Sequence, residues 1–407
     1  MHTTGHLNVS EKWVGSLCFA VLCVIFVAGL WPFHAPRNAV NWLPGGGLRF
    51  GRFGSVVSRG EFQATSAGKS SDTIEIWLQP EGLRRSRAIL SFDSPAHPLL
   101  PFVVRQNRDA LIVQEPNQDD KGMYHGAWLV VKGAFREQGP QFVTVTLGPH
   151  VTEVYLDGVL ARTFLMAGTP APLAGRLVVG GSPNVADSWP GKIMGLAIYH
   201  REISGPEIVA DYEHWMNAGY PTGKADSSLT ALYTFQEGAG SVAHNLRDPG
   251  TDLLIPSNFF VLHPVFLRST WREYRGNWAY WQDIGVNIAG FIPLGFSLAA
   301  YSSLRRGKRV LAAAVIAGFL TSLTIEVLQF FLPTRDSGTT DLMTNTLGTA
   351  IGALLYRTSW AQQTLARMET MGVAGVLARN SRSEMAAAGT LAGRPDIEET
   401  NCEVTRQ

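Results

Sequence analysis

Residues 325–348 read IEVLQFFLPTRDSGTTDLMTNTLG and join two strongly apolar stretches near the end of the chain. Glu326 and Gln329 interrupt the first stretch, and Asp341 and Asn345 open the second. A carboxylate facing lipid costs several kcal/mol, so these side chains need partners, a cavity or a function. How this stretch is read decides whether the end of the chain is a membrane bundle.

The flanking stretches are 310–332 (VLAAAVIAGFLTSLTIEVLQFFL) and 341–356 (DLMTNTLGTAIGALLY), preceded by 281–301 (WQDIGVNIAGFIPLGFSLAAY). A fourth, residues 13–31 (WVGSLCFAVLCVIFVAGLW), has 19 residues without a formal charge. That is the length needed to cross a hydrocarbon core of roughly 30 Å. Only Lys12 directly precedes it and no A-x-A site follows before Trp31-Pro32-Phe33, so it reads as a retained anchor rather than a cleaved signal. The segment 302–309 (SSLRRGKR) carries Arg305, Arg306, Lys308 and Arg309. The positive-inside rule makes it cytoplasmic. The loop PTRDSGTTD then lies outside, Arg357 and the tail inside, residues 33–280 outside and the N-terminus inside. Four spans fit one topology.

Polar residues recur on the last three spans. Asp283 and Asn287 are four apart, Glu326 and Gln329 three apart, Asp341 and Asn345 four apart. Each pair lies on one helical face. Asp283 and Asp341 start their spans at the outer side, and Glu326 lies about 25 Å along a helix that begins at Arg309. The three pairs share an outer layer, with Arg335 as counter-ion in the adjoining loop. Gly348 and Gly352 allow close helix contact, and Pro293 and Gly295 loosen their span. Hydrogen bonding within the bundle is one reading. Three carboxylates exceed what packing needs, which favours a polar pocket of Asp283, Asn287, Glu326, Gln329, Arg335, Asp341 and Asn345 at the outer leaflet.

Residues 48–215 read as short strands separated by Gly, Pro, Asn and Asp turns, among them GSVVS, TIEIWLQ, RAILSF, PFVVRQ, ALIVQE, QFVTVTL, TEVYLDG and GRLVVGG. Alternation as in Thr73-Ile74-Glu75-Ile76-Trp77 gives strands with one buried face. Asp157-Gly158 is a hairpin turn. Many strands without helices predict an antiparallel β-sandwich of jelly-roll type. Trp77 reads as core, whereas Trp189 reads equally as core or as a sugar-stacking platform, and Asp157 is a second candidate glycan contact. Asp93, Asp157 and Asp187 offer oxygens to calcium, although turn chemistry explains each equally well. No other cofactor and no other metal is expected. The E-x-D-x-x-E strand of hydrolases with such folds is absent, which argues against hydrolysis.

The sandwich segments resemble, in order, laminin-G-like, concanavalin A-like domains. LRFGRFGSVVS, DTIEIWLQP, AILSF, VTEVYLDGVL, GRLVVGG and WPGKIMGLAIYHREISGPEIVADY carry the likeness. Residues 229–248 (LTALYTFQEGAGSVAHNLRD) resemble the strand that usually opens such a domain, and here they follow the terminal helix, so the sandwich is expected to close near residue 255. A second resemblance rests on DIGVNIAGFIPLGF and TSLTIEVLQFFLPTRDSGTTDLMTNTLGTAIGALL. It is to the VanZ-like membrane family, whose pattern falls on Asp283, Asn287, Pro293, Gly295, Glu326, Gln329, Pro333, Arg335, Asp341, Asn345, Gly348 and Gly352. The family's first two spans are usually joined by a short loop, and here that loop has become a lectin-like domain. The resemblance implies a bacterial envelope protein, and its name-giving member is linked to low-level teicoplanin resistance.

The expected architecture is a concanavalin A-like antiparallel β-sandwich inserted into a four-span helical bundle. Its parts are 1–36 with the first span, 37–255 the extracytoplasmic sandwich, 256–280 an aromatic interfacial linker, 281–357 the VanZ-like helices and 358–407 a largely disordered cytoplasmic tail. The expected site is the bacterial inner membrane, crossed several times. Net charge is +1 with 16% charged residues, so nothing suggests a nucleic-acid partner and none is expected. Cys18, Cys23 and Cys402 leave the middle region without a disulfide framework. The partners expected are the bilayer and an envelope glycan or lipid-linked precursor. Three functions stay open: a glycan-binding adaptor, a membrane-embedded enzyme using Glu326 and Asp341, and an anchor displaying the sandwich. The absence of HExxH or a Cys/His cluster weighs against the enzyme.

Overall fold

A computed structural model of the chain describes residues 10–64, 71–84, 86–95, 100–118, 123–166, 168–184, 187–218, 226–274, 276, 278–304 and 309–371. The basic residues Arg305, Arg306 and Lys308, and the tail beyond residue 371, lie outside the described residues. The helices are α1 (Glu11–Leu30), α2 (Gly205–Ala218), α3 (Thr270–Glu273), α4 (Trp278–Leu304), α5 (Val310–Phe330), α6 (Thr339–Tyr356) and α7 (359–371). Two compact units form. A helical unit takes the chain up to Leu30, Ser269–Glu326 and everything from Gly338, and a β unit takes Trp31–Arg268 and Val327–Ser337.

The β unit is built from two antiparallel sheets. One runs Val40–Trp42, Leu48–Phe50, Gly191–Tyr199, Asp72–Pro80, Gln141–Leu147, Val151–Leu156, Val159–Leu165. The other runs Thr169–Pro170, Ala110–Gln118, Phe102–Asn107, Ser86–Asp93, Arg176–Val179, Val56–Ser58, Leu253–Leu254, Val242–Ala243. Alternation along Asp72–Pro80 sends Ile74, Ile76 and Leu78 into the core between the sheets. The opposite face of that strand is covered too. Trp77 packs against Trp215 of α2 with ring centroids 5.8 Å apart, and Phe142 against Trp215 at 5.1 Å. The strand therefore reads apolar on one side and is buried on both.

Local chemistry sets the joints. Asp157 (φ 52°) and Gly158 (φ 78°) are both left-handed, and Leu156 pairs with Val159 across them, the geometry of a two-residue hairpin that suits the strand twist. Ser204 and Glu207 have the Ser-x-x-Glu spacing of a capping box at the start of α2, and one half of it is made. The Glu207 carboxylate accepts from the Ser204 backbone N–H and hydroxyl, both at 2.8 Å. The Arg201 guanidinium, bound to Glu207 at 2.7 Å, holds that carboxyl down at about 2.

After α2 the chain returns to the sandwich. Leu229–Tyr233 pairs with Gly191–Tyr199, and Leu253–Leu254 with Val56–Ser58. Residues 256–268 continue on the β unit instead of forming a separate linker. The Asn38 N–H donates to Ser257 O at 3.0 Å, the Phe259 N–H to Pro36 O at 2.9 Å, and Phe259 is buried. Burial of Phe259 and its two flanking backbone bonds give this segment a place in the β unit that its aromatic composition does not show.

In the helical unit, α1, α4 and α5 are long and apolar enough to cross a membrane. Four such helices were expected, and among the described residues three meet that description. The fourth segment, α6, is 18 residues long, and Thr339, Thr340, Asp341, Thr344, Asn345, Thr346 and Thr349 dilute its apolar character. It packs on α4 backbone to backbone. A methyl at Gly348 would overlap the Ile288 carbonyl oxygen, one at Gly352 the Ile292 carbonyl, and one at Gly295 the Thr349 carbonyl. Val14 and Cys18 of α1 pack with Ala300 of α4 and Leu365 of α7.

Candidate functional site

The polar residues of the helical unit converge on the start of α6. The Glu326 carboxylate, 1% exposed, accepts the backbone N–H of Gly338, the N-cap of α6, at 2.8 Å. Glu273 of α3 accepts the Thr340 N–H at 3.1 Å, and Asp341 lies in the first turn. Three carboxylates thus meet a helix end that carries partial positive charge and unpaired N–H groups. Asn287 of α4 donates to Asp341 Oδ1 at 2.8 Å, and Asn345 of α6 donates to Ser322 Oγ of α5 at 3.0 Å. Among the described residues the buried Asn345 Oδ1 and Thr340 Oγ1 find no hydrogen-bond partner.

Of the residues expected here, Asn287, Glu326, Asp341 and Asn345 belong to this network. Asp283 is exposed, one turn before Asn287. Gln329 and Arg335 fall in the β unit, where the Arg335 guanidinium donates to the Trp31 carbonyl, from Nε at 3.1 Å and also from its Nη2. Glu273, Ser322 and Thr340 were not foreseen. A signal for Glu273 existed, since it is the one acid in the aromatic and basic stretch 256–280.

In the β unit Trp189 is not a stacking platform. It is 0% exposed, with its indole N–H donating to Gln106 Oε1 at 2.6 Å, so no sugar face can reach it. Asp157 holds its own turn, accepting from the Phe142 N–H at 3.0 Å and pairing with Arg136. The other two acids considered for calcium are engaged by bases: Asp93 by His263 at 2.6 Å, Asp187 by Arg105 at 2.8 Å. Glu115 is 0% exposed and bonded to Thr152 Oγ1 at 2.9 Å, and burial pushes its carboxyl up to about 7.

A groove of about 700 Å³ opens on the β unit, with Phe53, Leu83, Arg84, Gln106, Pro190 and Thr334 among the residues that line it. These come from well-separated parts of the chain, so no local motif announces it.

Two family models match. The model of the concanavalin A-like lectin/glucanases superfamily covers residues 56–209, and the VanZ/LLP1 model covers residues 229–361. The chain joins a concanavalin A-like domain to a VanZ-like domain. The VanZ/LLP1 match begins at Leu229, on a strand of the sandwich, and runs through α4, α5 and α6 to the start of α7. Among solved structures, a Bacteroides ovatus protein named for carbohydrate binding aligns at 12% identity and a TM-score of 0.37, over 54% of this chain and 58% of its own. This chain therefore spans less than two thirds of that protein. The CBM40 of a Ruminococcus gnavus sialidase, bound to sialyllactose, aligns at 15% and 0.32, over 40% of this chain and 95% of its own. The receptor-binding domain of botulinum neurotoxin D aligns at 12% and 0.35, over 45% and 47%. No curated protein gives a significant match.

Proposed function

We propose that the chain is a multi-pass protein of a bacterial cytoplasmic membrane that holds its concanavalin A-like domain outside the cytoplasm to bind an envelope glycan. In this reading α6 is a short fourth span, about 27 Å long at 1.5 Å per residue. The polar start of α6 lies at the outer leaflet and receives the headgroup of an amphiphilic envelope lipid. The observation that carries the reading is the gathering of Glu273, Glu326 and Asp341 at one helix end within a unit of apolar helices. The family resemblance adds a link to glycopeptide susceptibility.

The test expresses wild type and Glu326→Gln in a teicoplanin-sensitive Gram-positive host, with Leu165→Cys as an outside marker, since Leu165 is 88% exposed. A membrane-impermeant maleimide should label the marker on intact cells. Wild type should shift teicoplanin susceptibility and Glu326→Gln, at equal membrane level, should not. Labelling only after lysis refutes the topology, and equal effects of the two proteins refute a working role for the carboxylate.

A packing role is favoured by one observation. Asn287 bonds Asp341, and Asn345 bonds Ser322, so part of the network satisfies itself. On that reading Glu326→Gln inserts normally and leaves every phenotype intact.

A further inference from the structure

We infer that the groove of the β unit is the glycan site and that it selects a saccharide carrying a negative charge, as carboxylate or phosphate, between the guanidinium groups of Arg52 and Arg84. This inference rests on the glycan-binding reading and deepens it. The volume of about 700 Å³ is in the range of small-molecule sites. Its charges sort by partner. Glu81 is neutralised by Arg49 at 2.7 Å, Asp336 faces Arg268 at 3.6 Å, and Arg87 faces Asp187 at 3.4 Å. Among the described residues Arg52 and Arg84 make no ion pair, and of the acids in the wall only Glu137 is likewise left without one. Two free planar forks against one free carboxylate favour an anion, and a guanidinium fork matches carboxylate and phosphate oxygens two at a time.

The wall is prepared for a polar ligand. Phe53 holds a left-handed φ of 66°, rare for a bulky residue. Its carbonyl accepts the Ala39 N–H at 3.1 Å, and its ring lies 4.8 Å under Arg52. That conformation presents Arg52 from a fixed base. Gln106 is pinned by Gly82 O at 3.0 Å, Arg108 O at 2.9 Å and the Trp189 indole, so the floor is rigid. Ser188 and Thr334 complete this part of the wall. Thr334 lies four residues past the end of α5 and five before the start of α6. The site thus includes the connection between two VanZ-like helices, and a bound saccharide touches that connection directly.

The test uses the full chain in lipid nanodiscs and measures binding of oligogalacturonate, poly(glycerol phosphate) and a neutral oligoglucoside. Both anionic probes should bind at least about tenfold more tightly than the neutral one, with affinity falling as salt rises. The double variant Arg52→Ala/Arg84→Ala, at exposed positions, should lose that advantage, while Glu137→Gln should tighten anion binding a few-fold. Poly(glycerol phosphate) is also offered on a diacylglycerol anchor. Preference for the anchored form identifies a lipid-linked saccharide as the source, equal binding a free polymer, and both support the inference. Equal binding of neutral and anionic probes, unchanged in the double variant, overturns the groove assignment and leaves glycan binding standing. If no saccharide binds wild type, the glycan-binding reading falls with it.

Discussion

The carboxylate of Glu326, near the end of α5, caps the N-terminus of α6 through the backbone N–H of Gly338 at 2.8 Å. A helix start in apolar surroundings leaves N–H donors that water would otherwise satisfy. Glu326 supplies an acceptor and a negative charge at the positive end of the helix dipole. Two successive helices are thereby tied at the point where the chain reverses. The acid that looks misplaced in an apolar sequence meets a need created by its neighbour's first turn.

Glu326→Ala should therefore cost about 1–3 kcal/mol, the penalty of an orphaned buried donor. Glu326→Gln retains an acceptor and should cost about 1 kcal/mol or less, the charge–dipole part. Thermal unfolding of the purified protein in detergent measures both. Equal losses for Ala and Gln would show that the charge, not the acceptor, matters at this position.

Close backbone approach between α4 and α6 predicts a second effect, of at least similar size. Gly348→Ala puts a methyl on the Ile288 carbonyl oxygen, which belongs to helical backbone and cannot swing aside. The helices must separate, at a cost of about 1–3 kcal/mol or more. The control is Gly285→Ala, which meets nothing within 4 Å and should gain up to about 1 kcal/mol from helix propensity. Melting temperatures of the two variants should move in opposite directions.

Much of this architecture was legible in the residues. Period-two alternation in TIEIWLQ and the Asp157-Gly158 turn specify strands and a hairpin, because both depend on local backbone geometry. The family pattern fell on Asn287 and Asp341, which bond each other, and on Glu326 and Asn345, which bond Gly338 and Ser322; it fell equally on the exposed Asp283 and on Gln329 and Arg335 of the β unit. Glu273 was missed because it joins Thr340 across 67 positions of chain, and periodicity carries no information at that range. Trp189 was misjudged for a related reason. Its neighbours in sequence leave core and sugar platform equally open, and the indole's partner, Gln106, is 83 positions away. The groove draws on six separated segments and has no local signature at all.

The Asn287–Asp341 hydrogen bond makes a separable claim about what holds α4 to α6. Asn287→Ala removes a donor and leaves Asp341 with a lost partner, at about 1–3 kcal/mol for a bond to a charged group. Asp341→Asn in the Asn287→Ala background should cost less than in wild type. A double-mutant cycle on thermal stability should return a coupling between about 0.5 and 3 kcal/mol. Strict additivity would show that glycine packing alone holds the pair.

Glu115 lies on one sheet and Thr152 on the other, and their 2.9 Å hydrogen bond crosses the interior. Burial raises the Glu115 carboxyl from its ordinary 4.5 to about 7. Between these values the folded protein keeps a proton that the unfolded chain has released, so the slope of unfolding free energy with pH is negative. The stabilising state is complete below about pH 4.5 and is lost as pH rises through about 7, a change of about 3 kcal/mol at most. Glu115→Gln keeps the acceptor for Thr152 and cannot ionise. The two proteins should melt together at pH 5 and separate at pH 8, with Glu115→Gln higher by about 5–10 °C for a unit of this size. Parallel curves across that range would mean that the carboxylate is already compensated when charged, and that the crossing bond serves alignment of the sheets alone.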